Sequence, residues 1–311
     1  MDSCKNISEL INIAHDSFDN QSTLWFRGHS EYNFKLLPSI LREKNNSIDE
    51  QATYNEFIRR YPNHSLTHKT SIEWLTLMQH YGMPTRLLDW TSNLLIALYF
   101  ACEDLNNDGA LFVYNTYESY SKPISEFLEF QIFIRDNQDL YDRLLNIIES
   151  KEEEYSINEL LAKEVKKDIL KYYNLIDKPL KRLMKENLMF SKNKIDTKDR
   201  LSFTGHDMLN ELSNIIQVMP PLLNERLKLQ HSFFTFHGGK VINGEKLIDY
   251  VPMEEHSDIV KKISKIRIKK EHKKSFLKEL SVVGISESTL FPEMEYQVKD
   301  IKKLYTSIND E

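Results

Sequence analysis

The sequence predicts a mixed α and β fold, interrupted by a helical insertion, and three observations carry that expectation. Short runs rich in aromatic and β-branched residues are bounded by glycine or polar clusters, as strands are. Between them lie segments whose apolar residues recur at helical spacing. Residues 118–215 differ from both flanks: long charged and apolar patterns with a Glu152-Glu153-Glu154 cluster read as several helices and almost no strand. The expected organisation is an N-terminal helix over 1–19, a mixed segment over 20–117, a helical insertion over 118–217, and a second mixed segment ending in a helix over 218–311.

Residues 6–18 space Ile7, Leu10, Ile11 and Ala14 as one helix face, and residues 22–29 form an aromatic-rich strand ending near Gly28. A second helix is expected over 47–61 with Ser47 as its N-cap, and a third over 69–81 with Ile72, Leu75, Leu77, Met78 and Tyr81 facing inward. Gly82 and Pro84 stop that helix. An extended piece from 85 to 90 leads to a helix starting near Ser92 or Asn93, which buries Leu95, Ile96, Leu98, Tyr99 and Phe100. Residues 109–114, 226–230, 233–236 and 265–268 read as further strands; 273–283 and the stretch after Phe291-Pro292 read as helices.

At 311 residues with 41% hydrophobic and 11% aromatic content, the chain can bury a substantial core. A net charge of −6 argues against generic coating of nucleic acid. The two cysteines, Cys4 and Cys102, have no metal-ligand spacing, and Cys4 falls where chain order is not expected. With no basic-then-apolar leader and no apolar run near the roughly 18 residues of a spanning helix, the expected setting is the cytoplasm, without a membrane.

Residues 79–92, from Gln79 to Ser92, concentrate His80, Tyr81, Thr85, Arg86, Asp89, Trp90, Thr91 and Ser92 between two helical patterns. Hydroxyls at a strand-to-helix junction either cap the helix or leave free amides for an anion. Arg27, among aromatic neighbours and directly before Gly28, needs an anionic partner if buried: a ligand phosphate or carboxylate, or a core Asp such as Asp89. Alternation over 226–230 places Arg226, Lys228 and Gln230 on one strand face, lining a cleft or simply wet. The run 261–278 holds nine Lys or Arg against one Glu and reads as a solvated face, with stacking aromatics too sparse for single-strand binding. No Ser/His/Asp order, Gly-rich phosphate loop or zinc spacing is present, and Asp89, Glu73 and Glu103 form no recognisable metal-ligand arrangement for a nuclease.

Three segments together resemble the FRG domain family: Phe26-Arg27-Gly28, then Leu37-Pro38-Ser39-Ile40-Leu41-Arg42, then His80-Tyr81-Gly82-Met83-Pro84-Thr85-Arg86-Leu87-Leu88-Asp89-Trp90-Thr91 running into Ala97-Leu98-Tyr99-Phe100-Ala101. Later stretches at 226–233 and 284–292 extend the likeness. The order of an aromatic-Arg-Gly strand, then Thr-Ser opening a helix, also resembles the arginine/serine/glutamate class of ADP-ribosyltransferases.

That second resemblance implies a transferase-like core of short strands with flanking helices and NAD as substrate. It further implies a catalytic set of Arg27, Thr91, Ser92 and Gln230, with Arg27, Gly28, His29, His80, Tyr81, Thr85, Arg86, Trp90 and Arg226 around the nucleotide and no metal. The implied partner is a protein or nucleic-acid acceptor, and the implied role a bacterial toxin or phage-defence effector. Gln230 stands where the class has a glutamate, and an amide supplies no negative charge to a developing cation. Glu225 lies beside it, and Glu293-Met294-Glu295 repeats the Glu-x-Glu spacing of some transferases. A non-catalytic nucleotide- or nucleic-acid-binding module using the same pocket is the alternative.

Overall fold

A computed structural model describes residues 4–17, 23–45, 48–68, 71–116, 215–237, 251–256 and 259–306. It holds one six-stranded sheet of β1 (Leu24–His29), β2 (Leu87–Thr91), β3 (Gly109–Asn115), β4 (Ile215–Val218), β5 (Ser232–His237) and β6 (Ile263–Ile268). The spatial order is β4-β5-β2-β1-β3-β6, and every pairing is antiparallel. The helices are α1 (Ile7–Asp16), α2 (Glu50–Arg60), α3 (Ser71–His80), α4 (Leu94–Ala101), α5 (Glu225–Leu229), α6 (Lys270–Val282), α7 (Glu287–Leu290) and α8 (Met294–Thr306). The sheet resumes at Ile215, inside the stretch assigned to the helical insertion over 118–217; the part of that expectation over 118–214 lies outside the described residues.

Alternation along the strands gives the sheet two faces. Phe26, Leu111, Val113, Ile266 and Ile268 meet Leu10 and Ala14 of α1, Ala97, Leu98 and Ala101 of α4, and Phe276 and Leu280 of α6. On the β2–β5–β4 half, Leu87, Phe234, Phe236 and Val218 meet α2 and α3 through Tyr54, Trp74, Leu75 and Met78. The other face carries Trp25, Leu88, Trp90, Phe112 and Tyr114, covered by Leu36, Met253 and Ile259. Gly28 fixes how closely α4 can lie, for a Cβ there would come within 1.9 Å of the Ala97 carbonyl.

Several sequence expectations change. Residues 226–230 are not a strand: Asn224 caps the first turn by accepting from Leu227 N at 2.8 Å, α5 follows, and Gln230 is its C-cap. Five residues of alternation cannot separate a strand from a helical turn, and the cap decides. Asp49, not Ser47, caps α2. Tyr81 lies beyond the end of α3 and is 65% exposed rather than buried. Cys4 is fully buried with Cys102 beneath α1, and burial pushes the two thiols up to about 11 and about 12. The basic run divides between β6 and α6: Lys265 lies 4.1 Å from the Tyr32 ring centre, Arg267 pairs with Asp108, and Lys273 is buried on two carbonyls. No helix among the described residues is long and apolar enough to cross a membrane.

Candidate functional site

The sheet is split at its centre. β1 and β3 share six paired positions and β2 and β5 share five, yet β1 and β2 pair only at Phe26↔Thr91. Beyond that bridge the strands part, and Arg27 fills the gap. Its Nη1 donates to the Asp89 backbone carbonyl at 2.6 Å and reaches the Asp89 carboxylate at 3.4 Å; its Nε donates to His29 Nε2 at 2.8 Å. A side chain thus satisfies a strand carbonyl that the split leaves without a ladder partner.

His29 must be neutral to accept that bond. Burial, and then the Arg27 charge, pull its pKa down to about 2, so Nδ1 carries the proton and donates to the Phe34 carbonyl at 3.3 Å. Asp89 is held from the other side by Gln79, whose Nε2 donates to Oδ1 at 2.7 Å. Thr85, fully buried, donates to Gln79 Oε1 and so fixes which way that amide faces. The junction following β2 is also closed: Thr91 Oγ1 accepts from Asn93 N at 3.0 Å, while the Asn93 side chain caps α4 by accepting from Leu95 N and Ile96 N. The Asn93, Leu95 and Ile96 amides are therefore engaged by side chains of the junction itself rather than left for an anion.

A cleft of about 330 Å³ opens over the split, and Arg27, Gly28, His29, Trp90, Thr91, Arg226 and Gln230 all line it. Phe26, Ser30, Phe34, Arg42, Gln79, Asp89, Phe100, Glu103 and Ser232 complete its wall. Ser92 lies outside it, exposed at the bend after β2, its N–H donating to the His231 carbonyl at 3.2 Å. Tyr81 is exposed, Thr85 is buried behind Gln79, and Arg86 is turned to Glu50 at 2.6 Å, so these three are also outside the lining. His80 sits nearby with Nε2 3.9 Å from Glu293 Oε1, the same oxygen that Arg226 Nη1 approaches at 3.9 Å.

The segment that supplies both edges of the split, residues 22–109, matches the model of the FRG domain. The chain carries an FRG domain. No curated protein matches the chain, and no solved structure does. The FRG segment contributes most of the cleft wall, while Arg226, Gln230 and Ser232 arrive from beyond it. Gln230 donates through Nε2 to the Leu290 carbonyl at 3.2 Å, and Arg226 lies with its guanidinium 4.6 Å from the Phe291 ring centre.

Glu103 and Arg42 were not singled out as site residues. Glu103 follows the C-cap of α4 as a solvent-exposed residue, and partial desolvation of its carboxyl in the cleft, then the like charge of Glu287, push its pKa up against the pull of Arg226. Arg42 follows a 3-10 turn, with its Nε donating to the Leu37 carbonyl at 3.2 Å. Arg42 ends the 37–42 segment of the family resemblance and Glu103 belongs to no motif; only the packing of distant segments brings both to the cleft. Among the described residues no cluster of three or more His, Cys, Asp or Glu could hold a metal ion.

Proposed function

We propose that the cleft of the FRG segment binds a nucleotide, with Arg27 as the residue that takes its phosphate. One observation carries this reading. Arg27 lies in the split with its side chain 15% exposed and with Nε and Nη1 engaged by His29 and Asp89, while Nη2 has no partner among the described residues. Nη2 is then a charged N–H donor still available at the tip of a held guanidinium, which suits a phosphate oxygen. The surroundings agree: Arg42 and Arg226 add positive charge, Phe34 and Phe100 add apolar aromatic residues to the lining, and the volume falls in the roughly 300–1,000 Å³ range of small-molecule sites. Titration calorimetry with NAD and with ADP-ribose tests it. Binding by the native chain that disappears in Arg27→Ala supports the reading; equal affinity in both proteins sinks it.

A second reading, NAD-dependent ADP-ribosyl transfer to a protein or nucleic-acid acceptor, is favoured by Glu103. Gln230 is an amide engaged with Leu290, so the cleft's carboxylate close to Arg226 is the group with the charge to oppose a developing oxocarbenium-like cation. In that chemistry the bond between nicotinamide and ribose breaks with its electron pair leaving on nicotinamide, and the acceptor's nucleophile forms the new bond to ribose as it loses its proton. Nicotinamide release that stops in Glu103→Gln selects transfer. Binding without release selects the module alone.

A further inference from the structure

α8 carries an apolar stripe that the described residues leave uncovered. Met294, Val298, Ile301 and Tyr305 recur at spacings of four, three and four, which places them within one narrow band of the helix, and they are 80%, 43%, 55% and 69% exposed. The inner side of α8 is already committed. Tyr296 stacks on Phe291 at 4.6 Å, Gln297 donates to the Ser288 and Phe291 carbonyls at 2.7 and 2.9 Å, and Lys299 pairs with Glu287 at 2.6 Å. These contacts fix the helix rotation and turn the stripe outward.

A repeat of alternating fours and threes averages 3.5 residues, the spacing at which two helices keep a shared seam in contact. A partner helix is therefore the shape that fits. The flanking charges say which one. Glu295 and Lys302 are exposed, seven residues apart on the same flank of the stripe, one near each end of the helix. When a second α8 lies antiparallel on the first, Met294 meets Tyr305, Val298 meets Ile301, and Glu295 of each copy faces Lys302 of the other. A parallel arrangement sets Gln297 beside Lys302 and leaves Glu295 without that pairing. The antiparallel pair also brings the positive end of one helix dipole beside the negative end of the other.

We propose that α8 is the self-association surface of this chain, forming a two-fold symmetric antiparallel helix pair with a second copy. Such an interface uses the same patch on both subunits. Two helices of 13 residues bury less than the roughly 1,200 Å² of a standard interface, so the dimer is reversible and depends on concentration.

Sedimentation velocity of the full chain from micromolar to submillimolar concentration reads the association directly. The native chain is expected to shift from monomer to dimer, and Ile301→Asp to raise the dissociation constant by about a hundredfold or more. Glu295→Lys alone and Lys302→Glu alone are each expected to weaken it by about tenfold, because symmetry doubles every repulsive pair. The double variant E295K/K302E is expected to recover the native association, since it exchanges the partners without removing the pairing. Circular dichroism of each variant separates lost association from lost fold. A native chain that stays monomeric throughout, association untouched by Ile301→Asp, or single reversals that the double variant does not rescue would each overturn the proposal; the first would leave the stripe to a different protein partner.

Discussion

Arg27 Nη1 donates to the backbone carbonyl of Asp89 at 2.6 Å, across a gap where β1 and β2 share a single paired position. The arginine is at once a structural brace for the split sheet and the floor of the cleft. The sequence left open whether Arg27 meets a core Asp or a ligand; it meets Asp89 through Nη1, and its Nη2 has no partner among the described residues. The Asp89 side chain remains 56% exposed, so it is not sealed away as a core partner would be.

Arg27→Lys separates those two roles. An ammonium keeps the charge but cannot serve His29, Asp89 and a phosphate at once, so affinity for NAD or ADP-ribose is expected to fall at least about tenfold, or about 1.4 kcal/mol. Thermal denaturation is expected to move by only a few degrees, since the Asp89 left behind is solvated. Calorimetry and a melting curve on the same preparation check both. Undiminished affinity would leave Arg27 as a brace and nothing more.

Gly28→Ala is expected to destabilise the fold by about 3 kcal/mol or more, because the new Cβ would stand 1.9 Å from the Ala97 carbonyl and 2.6 Å from the Ala101 amide, both backbone atoms of α4. Gly82→Ala is the comparison. Gly82 has φ +79° with open space around it, and its replacement costs about 1 kcal/mol. Urea denaturation of the two variants measures the difference, and equal values would contradict the close approach of α4 to β1.

Acid is expected to weaken the fold through two buried histidines. His237 is 3% exposed and bonds Thr235 Oγ1, which in turn accepts from Trp90 Nε1 at 3.0 Å; burial pulls the His237 pKa down to about 3, as it pulls His29 to about 2. In the unfolded chain both titrate near about 6.5, so the unfolded state takes up protons that the folded state refuses as pH falls from about 6.5. Stability is then lost at up to about 1.4 kcal/mol per pH unit for each histidine, down towards the folded values. Urea denaturation between about pH 7.5 and pH 5 measures the slope. His237→Gln should make it shallower, and an unchanged slope would remove His237 from the account.

Glu50 and Arg86 form a buried pair at 2.6 Å, their side chains 7% and 11% exposed. Glu50→Ala leaves a guanidinium in that site without its carboxylate, and the expected loss is about 3 kcal/mol. Arg59 and Glu56 pair on the exposed flank of α2, where solvent screens them, and Glu56→Ala should barely change the denaturation midpoint. Equal melting of the two variants would contradict a buried Glu50–Arg86 pair.

Strand and helix patterns that span a whole face were legible in the sequence. β1, β3, α1 and α3 fall within a few residues of expectation, because burial against one core repeats the same spacing over many positions. The residues of the long motif were legible as a cluster, but not which of them share a cleft. Arg86 and Asp89 both proved to be ion-pair residues, yet with different partners, Glu50 and Arg27. Gln230 was misplaced because Asn224, a single capping side chain, overrode five residues of alternation.

The sequence by itself determined the FRG motif, the alternation of elements and the centrality of Arg27, all of which are local in the chain. Only the tertiary structure decided the rest. That β1 and β2 meet at one position and then part, that Arg42, Glu103 and Arg226 close the same cleft, and that Ser92 turns away from it, all depend on how segments far apart in sequence pack. Spacing along a chain encodes which side of an element a residue occupies. It does not encode what the neighbouring element leaves open, and a cleft is made of that space.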